Sequence, residues 1–278
     1  MQITCLVENT SCRPECEPAH GLRLWIKTGN QHVLMDAGPS DLLCRNAQVL
    51  GIDFAQASML VLSHGHYDHA DGIPAFASVN PSAPVYLRRT AVRPYHSSVQ
   101  EDGTRRYIGM DPAVSALPQL KLTDGETEIG EGLRLFGDIT GRRMWPESNL
   151  RLFAEKDGSF VQDSFDHEQC LTITENGRTV LFSGCAHNGI LNILDRYREL
   201  YGGAPYAVVS GFHMKKSGGY TAGEEETIRA TARELHKQPT LFYTCHCTGL
   251  PAFDMMKEIM GNQLHYLACG QTIHLLQD

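Results

Sequence analysis

Three imidazoles and a carboxylate fall within six positions, His64, His66, Asp68 and His69, in the stretch Ser63-His64-Gly65-His66-Tyr67-Asp68-His69. Imidazole nitrogen is a good ligand for Zn²⁺, Fe²⁺ or Mn²⁺. His64 and His66, separated by a single glycine, can turn toward one ion from a tight bend whose backbone Gly65 permits. Asp68 and His69 then face a second ion. Chance clustering of surface histidines is a poor account of this order, because other metal-capable residues recur in matching places. Asp36 follows the apolar run Val33 to Met35, Cys185 and His187 follow Thr179 to Phe182, His213 follows Ala207 to Val209, and His246 follows Leu241 to Thr244.

Residues so dispersed need a scaffold that returns to one place. Short apolar runs, each closed by a Gly- or His-bearing turn and several followed by a helix-like stretch, are the pattern of a layered α/β protein. Leu171 to Thr174 and Thr179 to Phe182 flank Asn176-Gly177, a strong hairpin signal. The polar residues sit just past the carboxyl ends of the expected strands, where open α/β sheets place their ligand sites. Thr221 and Glu224 form a capping box ahead of an apolar stripe at Ile228, Ala232 and Leu235, and Asn188 to Arg198 reads as another amphipathic helix. The stretch 88–115, with Arg88, Arg89, Arg93, Tyr95, His96, Arg105, Arg106 and Tyr107, is polar and irregular. It is expected to be a substrate-facing insertion in a single domain spanning 1–278.

Composition narrows the partners. With 278 residues, 42% hydrophobic and 20% charged, the chain can bury a sizeable core. A net charge of −8 argues against nucleic acid, whose non-specific binding rests on clustered Lys and Arg. A small-molecule substrate is the expectation. No apolar run is long enough to span a bilayer and no basic, then apolar, leader opens the chain, so a cytoplasmic protein without membrane contact is expected. Nine cysteines in a chain of this length do not suggest a disulfide scaffold, and the pairs Cys12/Cys16 and Cys245/Cys247 lack the spacing of a zinc ribbon.

Two spaced histidines followed by Asp-His resemble the signature of the metallo-β-lactamase superfamily. The resemblance runs over nearly the whole chain. Asp36-Ala37-Gly38 stands where the family carries a strand-end Asp-x-Gly, Ser183-Gly184-Cys185 where it often has Gly-Asp, and His246 at its final histidine. It implies an α/β fold, an αββα four-layer sandwich of two similar halves, with metals in a groove at one edge of the sheets. Four further segments are similar to a branch identified as dihydropterin ribofuranosyl-aminobenzene 5′-phosphate synthases: His20-Gly21-Leu22, Ser183 to Ile190, Gly211-Phe212-His213 and Cys245-His246-Cys247-Thr248-Gly249.

The chain departs from the superfamily pattern at one ligand. Cys185 replaces the usual bridging Asp, and His187 becomes available two residues on. The resemblance therefore implies a metal set of His64, His66, Asp68, His69, Cys185, His187 and His246 around two divalent ions. Zinc is the expected metal, with iron and manganese as alternatives. Which of His167, Cys185 and His187 complete the coordination is open, since His167 stands where many members place their third histidine. Asp36 is expected to orient a ligating histidine through a hydrogen bond. Asp68 and His213 are the catalytic candidates, and Lys215 and Lys216 the candidate holders of an anionic group.

Metal-assisted hydrolysis of a small anionic metabolite, phosphorylated or pterin-like, is the default chemistry of such a centre. The resemblance implies an alternative, a dihydropterin-methyl transferase or synthase. A non-catalytic metal-binding sensor on the same fold is a third reading, and a homodimer is open.

Overall fold

The computed structural model describes residues 1–39 and 42–276. The chain begins with the meander β1 (Gln2–Val7), β2 (Arg23–Thr28) and β3 (Gln31–Met35), followed by α1 (Leu42–Val49) and β4 (Met59–Val61). Past β4 come the short helix α2 (Tyr67–Ala70), α3 (Ile73–Val79), β5 (Val85–Arg88), β6 (Tyr95–Val99), β7 (Arg105–Tyr107) and β8 (Leu120–Thr123). Then follow β9 (Thr127–Gly130), β10 (Leu133–Phe136), β11 (Leu152–Lys156), β12 (Ser159–Gln162), β13 (Cys170–Glu175) and β14 (Arg178–Phe182). The chain closes with α4 (Ile190–Tyr201), β15 (Ala207–Ser210), α5 (Ala222–His236), β16 (Leu241–Thr244), α6 (Leu250–Met260), β17 (Leu264–Tyr266) and β18 (Thr272–His274).

Two seven-stranded sheets result, ordered β18-β1-β2-β3-β4-β5-β8 and β17-β16-β15-β14-β13-β10-β9. In the first, the pairings from β18 to β3 are antiparallel and those from β3 to β8 parallel. The second repeats this pattern, antiparallel from β9 to β14 and parallel from β14 to β17. Inner faces meet in one core, where Ile3, Ile26 and Met35 join Leu135, Ile173, Phe182 and Val209. Against the outer face of the first sheet, Phe54, Ile73 and Phe76 cover Leu34, Leu60 and Val85. Helices α4, α5 and α6 cover the second, bringing Leu194, Leu235 and Met256 onto Leu181, Val208 and Phe242. The four layers are the expected αββα sandwich. Strands such as β15 are buried at every position because both of their faces are covered.

Local signals hold where they depend on neighbours in sequence. Asn176 and Gly177 both take positive φ in the tight turn between β13 and β14. The Thr221/Glu224 capping box opens α5, whose Ile228, Ala232 and Leu235 are buried. Segment 88–115 differs from the irregular stretch expected. β6 and β7 pair in a third, four-stranded sheet ordered β12-β11-β6-β7, where Arg105 lies over the Phe153 and Phe160 rings at 4.1 and 4.9 Å. Although β7 is a near neighbour, the partner that ties β6 into the sheet, β11, lies more than fifty residues away, so no local pattern announces that pairing. No helix among the described residues is long and apolar enough to cross a membrane.

Phe182 ends β14 inside the core between the sheets, fully buried, just ahead of the turn that carries Cys185 and His187. Phe182→Ala is expected to cost about 3–5 kcal/mol in denaturant unfolding. A loss below about 1 kcal/mol, within the range of surface substitutions, would contradict this account of the core.

Candidate metal centre

The seven residues of the expected metal set meet past the carboxyl ends of β4, β14 and β16, all of them buried. Gly65 is needed for close approach: a Cβ there would lie 2.2 Å from the Ala91 carbonyl oxygen, displacing the histidines on either side.

Four imidazoles point Nε2 inward because other groups take their Nδ1. Asp36 accepts from the Ser63 backbone N–H at 2.7 Å, from Ser63 Oγ at 2.8 Å and from His69 Nδ1 at 2.6 Å. Ser63 Oγ has a single proton and gives it to Asp36, so it accepts from His64 Nδ1 at 2.9 Å. Asn149 donates its amide to the His187 carbonyl and accepts from His187 Nδ1 at 3.0 Å. Asn9 does the same for His246, donating to its carbonyl and accepting from Nδ1 at 3.1 Å. Each partner thereby selects the tautomer that leaves the Nε2 lone pair free.

Those lone pairs face one another. His64 Nε2 lies 3.3 Å from His187 Nε2, and His69 Nε2 lies 3.3 Å from His246 Nε2. Burial, reinforced by neighbouring imidazoles, pushes His64 and His187 well below the usual histidine range, so both are neutral and neither Nε2 has a proton to offer the other. Those two acceptors call for a cation between them, whereas His69, held protonated, can donate its Nε2–H to His246 until a metal displaces that proton. With Zn–N bonds of about 2.0–2.1 Å, two tetrahedral ligands lie about 3.3 Å apart, so the donor set fits such an ion. Cys185 Sγ belongs to both groups, grouping with His64 and His187 and with His69 and His246, and it approaches His69 Nε2 to 3.2 Å.

His66 and Asp68 complete the two groups. The His64, His66 and His187 rings form a triangle with centroids 4.7–4.8 Å apart. Burial, with His167 alongside, pushes His66 down to about 3. Burial acts to raise the Asp68 carboxyl, but His69, His246 and His20 overcome it and hold the group well below the usual carboxylate range. Asp68 Oδ2 lies 3.4 Å from His246 Nε2 and 3.3 Å from His20 Nε2. For His69 burial opposes protonation, yet Asp36 and Asp68 raise it to about 9. Burial and the neighbouring Cys247 raise the Cys185 thiol. Every described cysteine is a free thiol.

The remaining candidates surround this centre. His167 has both nitrogens engaged, Nδ1 accepting from the Gly65 N–H at 3.0 Å and Nε2 donating to Asp163 at 3.1 Å, so it braces the histidine turn. His213 sits outside the ligand groups of the two imidazole pairs, its ring 4.1 Å from that of His187. Lys216 is held by both oxygens of Glu224, while Lys215, anchored through its N–H to the Cys247 carbonyl, has no carboxylate partner among the described residues. Sequence reasoning missed Asn9, Asn149 and Glu168, a buried carboxylate that accepts from the His187 and Asn188 N–H groups. Their roles arise from tertiary contact, and no spacing in the sequence signals them.

Asn149→Ala removes the partner that fixes the His187 tautomer and is expected to weaken zinc affinity about 10–100-fold with the fold retained. Unchanged affinity in a chelator competition would remove Asn149 from this role. In the metal-free protein His69 keeps a proton below about 9, so metal uptake at neutral pH must release it. Binding therefore weakens as pH falls, by about tenfold per unit for this one proton. Calorimetry in buffers of different ionisation enthalpy counts the protons; the Cys185 thiol also deprotonates on ligation, so about two are expected and a count of one or fewer would refute the assignment.

No family model matches the chain. It is 26% identical over 279 residues to a Methanocaldococcus jannaschii protein named 7,8-dihydropterin-6-methyl-4-(β-D-ribofuranosyl)-aminobenzene-5′-phosphate synthase, covering 91% of this chain and 89% of that one. An uncharacterized protein of the same organism is 25% identical over 275 residues, covering 98% and 99%. Among solved structures, Tm1679, described as a metal-dependent hydrolase of the β-lactamase superfamily, superposes with a TM-score of 0.82 at 31% identity over 99% of both chains. Zinc-bound PqqB from Methylobacterium extorquens shares the fold, with a TM-score of 0.62 at 12% identity over 99% of this chain and 100% of that one. A histidine turn built to bind a divalent metal, a doubled sheet pattern and this likeness over the full length agree: the chain belongs to the metallo-β-lactamase superfamily, in a branch that resembles the methanogen synthase.

Proposed function

We propose that the chain is a metal-dependent hydrolase of a small anionic metabolite. It would hold two divalent ions, one on His64, His66 and His187, the other on Asp68, His69 and His246, with Cys185 between them. The observation that carries this reading is the pair of opposed Nε2 contacts at 3.3 Å, with the Cys185 sulfur common to both groups. Imidazole and thiolate donors suit zinc or iron better than manganese.

Ions bound there would polarise a carbonyl or phosphoryl oxygen and bring the acidity of water toward neutrality. The protein groups supply the rest. Asp68, kept ionised, offers Oδ2 as a proton acceptor beside His20, which is half-exposed at the mouth. His213 lies against His187 where it can position a substrate, and His20 protonation is lowered first by burial and then by the charges of His246 and Lys215, against the pull of Asp68. A thiolate where the superfamily usually has a bridging carboxylate keeps the charge but replaces an oxygen donor with a softer sulfur, which sets this centre apart from the usual one.

A second reading has one specific observation in its favour, the likeness to a protein named as a synthase of a dihydropterin-aminobenzene phosphate. The same electrophilic centre would serve group transfer onto an aminobenzene nitrogen. The two readings part on whether water is the acceptor.

Elemental mass spectrometry of protein purified without added metal is expected to find about two equivalents of metal, and bis(para-nitrophenyl) phosphate is expected to turn over. His64→Ala and His66→Ala should lose metal and activity together. A full metal complement with no hydrolysis of phosphodiesters, phosphomonoesters or lactones would favour the transferase. No metal after reconstitution would overturn both.

A further inference from the structure

The loop between β1 and β2 brings Glu8, Asn9 and His20 to the metal centre. Across residues 12–18 of that loop every side chain is exposed except Cys16, so its single buried anchor is a thiol. Cys16 is seated on the turn between β17 and β18. A Cβ on Gly270 would lie 3.2 Å from Cys16 Sγ and 3.1 Å from the Arg13 side chain, and the Cys16 thiol is within hydrogen-bonding reach of Cys269.

Backbone bonds hold the two segments in register. The Cys12 N–H donates to the Cys269 carbonyl at 3.0 Å, and the Cys269 N–H donates to the Thr10 carbonyl at 3.0 Å. Asn46 on α1 fixes both sides of the contact: its side-chain amide brackets Glu17, donating to the carbonyl and accepting from the N–H at 2.9 Å each, and reaches Cys269 Sγ at 3.4 Å. A buried cysteine alone is an ordinary small hydrophobe. Two facing thiols beside Cys12, the one exposed cysteine among those described, offer a chemistry that alanine or valine would not. Burial raises both buried thiols, Cys269 to about 12, but for Cys16 the Arg13 guanidinium offsets part of the rise. Cys16 is therefore the readier thiolate, and thiolate is the attacking species.

We propose that Cys16 and Cys269 form a reversible disulfide, with a small disulfide as the oxidant. Cys16 attacks one sulfur of the oxidant, forming a mixed disulfide and releasing one thiol. Cys269 then gives up its proton and attacks Cys16 Sγ, and the second thiol leaves. Two electrons and two protons pass from the protein to the oxidant, which departs as two thiols. The cross-link ties the loop to turn 267–271 close to where Asn9 accepts from His246 Nδ1 and Glu8 from the His246 N–H. Oxidation thereby tightens the hold on His246. That consequence rests on the proposed reading of His246 as a metal ligand, and the cross-link itself does not.

Peptide mapping of the metal-loaded full chain after excess oxidised glutathione, with free thiols alkylated and no reductant present, tests it. The Cys16 and Cys269 peptides are expected to be joined, and to part on addition of dithiothreitol. Cys12→Ser should leave the link intact, whereas Cys16→Ser and Cys269→Ser should each abolish it. The oxidised protein should melt at least about 5 °C above the reduced one, because the link closes a long loop in the unfolded chain, and Cys16→Ser should remove that shift. Zinc loss to a chelator should slow about threefold or more on oxidation. Glutathione on Cys12 with no link between Cys16 and Cys269, or a link between Cys12 and Cys16 in its place, would overturn the assignment. A link that leaves zinc loss unchanged would overturn its hold on His246. A chain that takes up no metal loses the reading of the centre, while the link is still scored by mass.

Discussion

The Asp36 carboxylate, at the end of β3, accepts from the Ser63 backbone, the Ser63 hydroxyl and His69 Nδ1, and through that hydroxyl it also sets the proton on His64. One buried anion thus decides the tautomer of two histidines and fixes the turn on which they stand. The rest of the centre repeats the device with neutral partners, Asn149 for His187 and Asn9 for His246. A neutral imidazole carries one proton and one lone pair, so engaging Nδ1 is what turns a buried histidine into a ligand.

That device requires a scaffold able to bring its parts together from distant points. Strand ends supply them: parallel strands place their carboxyl termini side by side, and the turns leaving those termini all emerge at one edge. Asp36 and the His64 turn leave adjacent strands of the first sheet, and Cys185 and His246 leave strands of the second. Packing of the inner faces through Phe182, Val209 and Met35 sets the distance between the two edges. The apolar core therefore acts on chemistry by fixing how far apart the opposed Nε2 atoms stand.

Legibility in the sequence followed range. The histidine cluster, the Asn176-Gly177 turn and the Thr221 cap are encoded within a few residues, and each could be read directly. Asn9 and Asn149 could not, because an asparagine becomes a tautomer clamp only through a partner 237 or 38 residues away. The third sheet escaped for the same reason, β6 being specified by β11. Lys215 and Lys216 looked equivalent as neighbours until Glu224 claimed the second. His167 was ambiguous by position, and its two hydrogen bonds, to Gly65 and Asp163, give it a bracing role.

Each opposed imidazole pair takes one ring from either sheet, and the partners stand 123 and 177 residues apart in the chain. Closing loops of that length is entropically demanding, so the complete ligand set is expected only when both sheets have formed. An ion bound there would act as a clasp across the seam, stabilising the docked state over the unfolded chain, so parting of the sheet edges would loosen it. Metal exchange in this protein should accordingly report on the breathing of the inter-sheet seam, making the ion a built-in gauge of how tightly the two halves are closed.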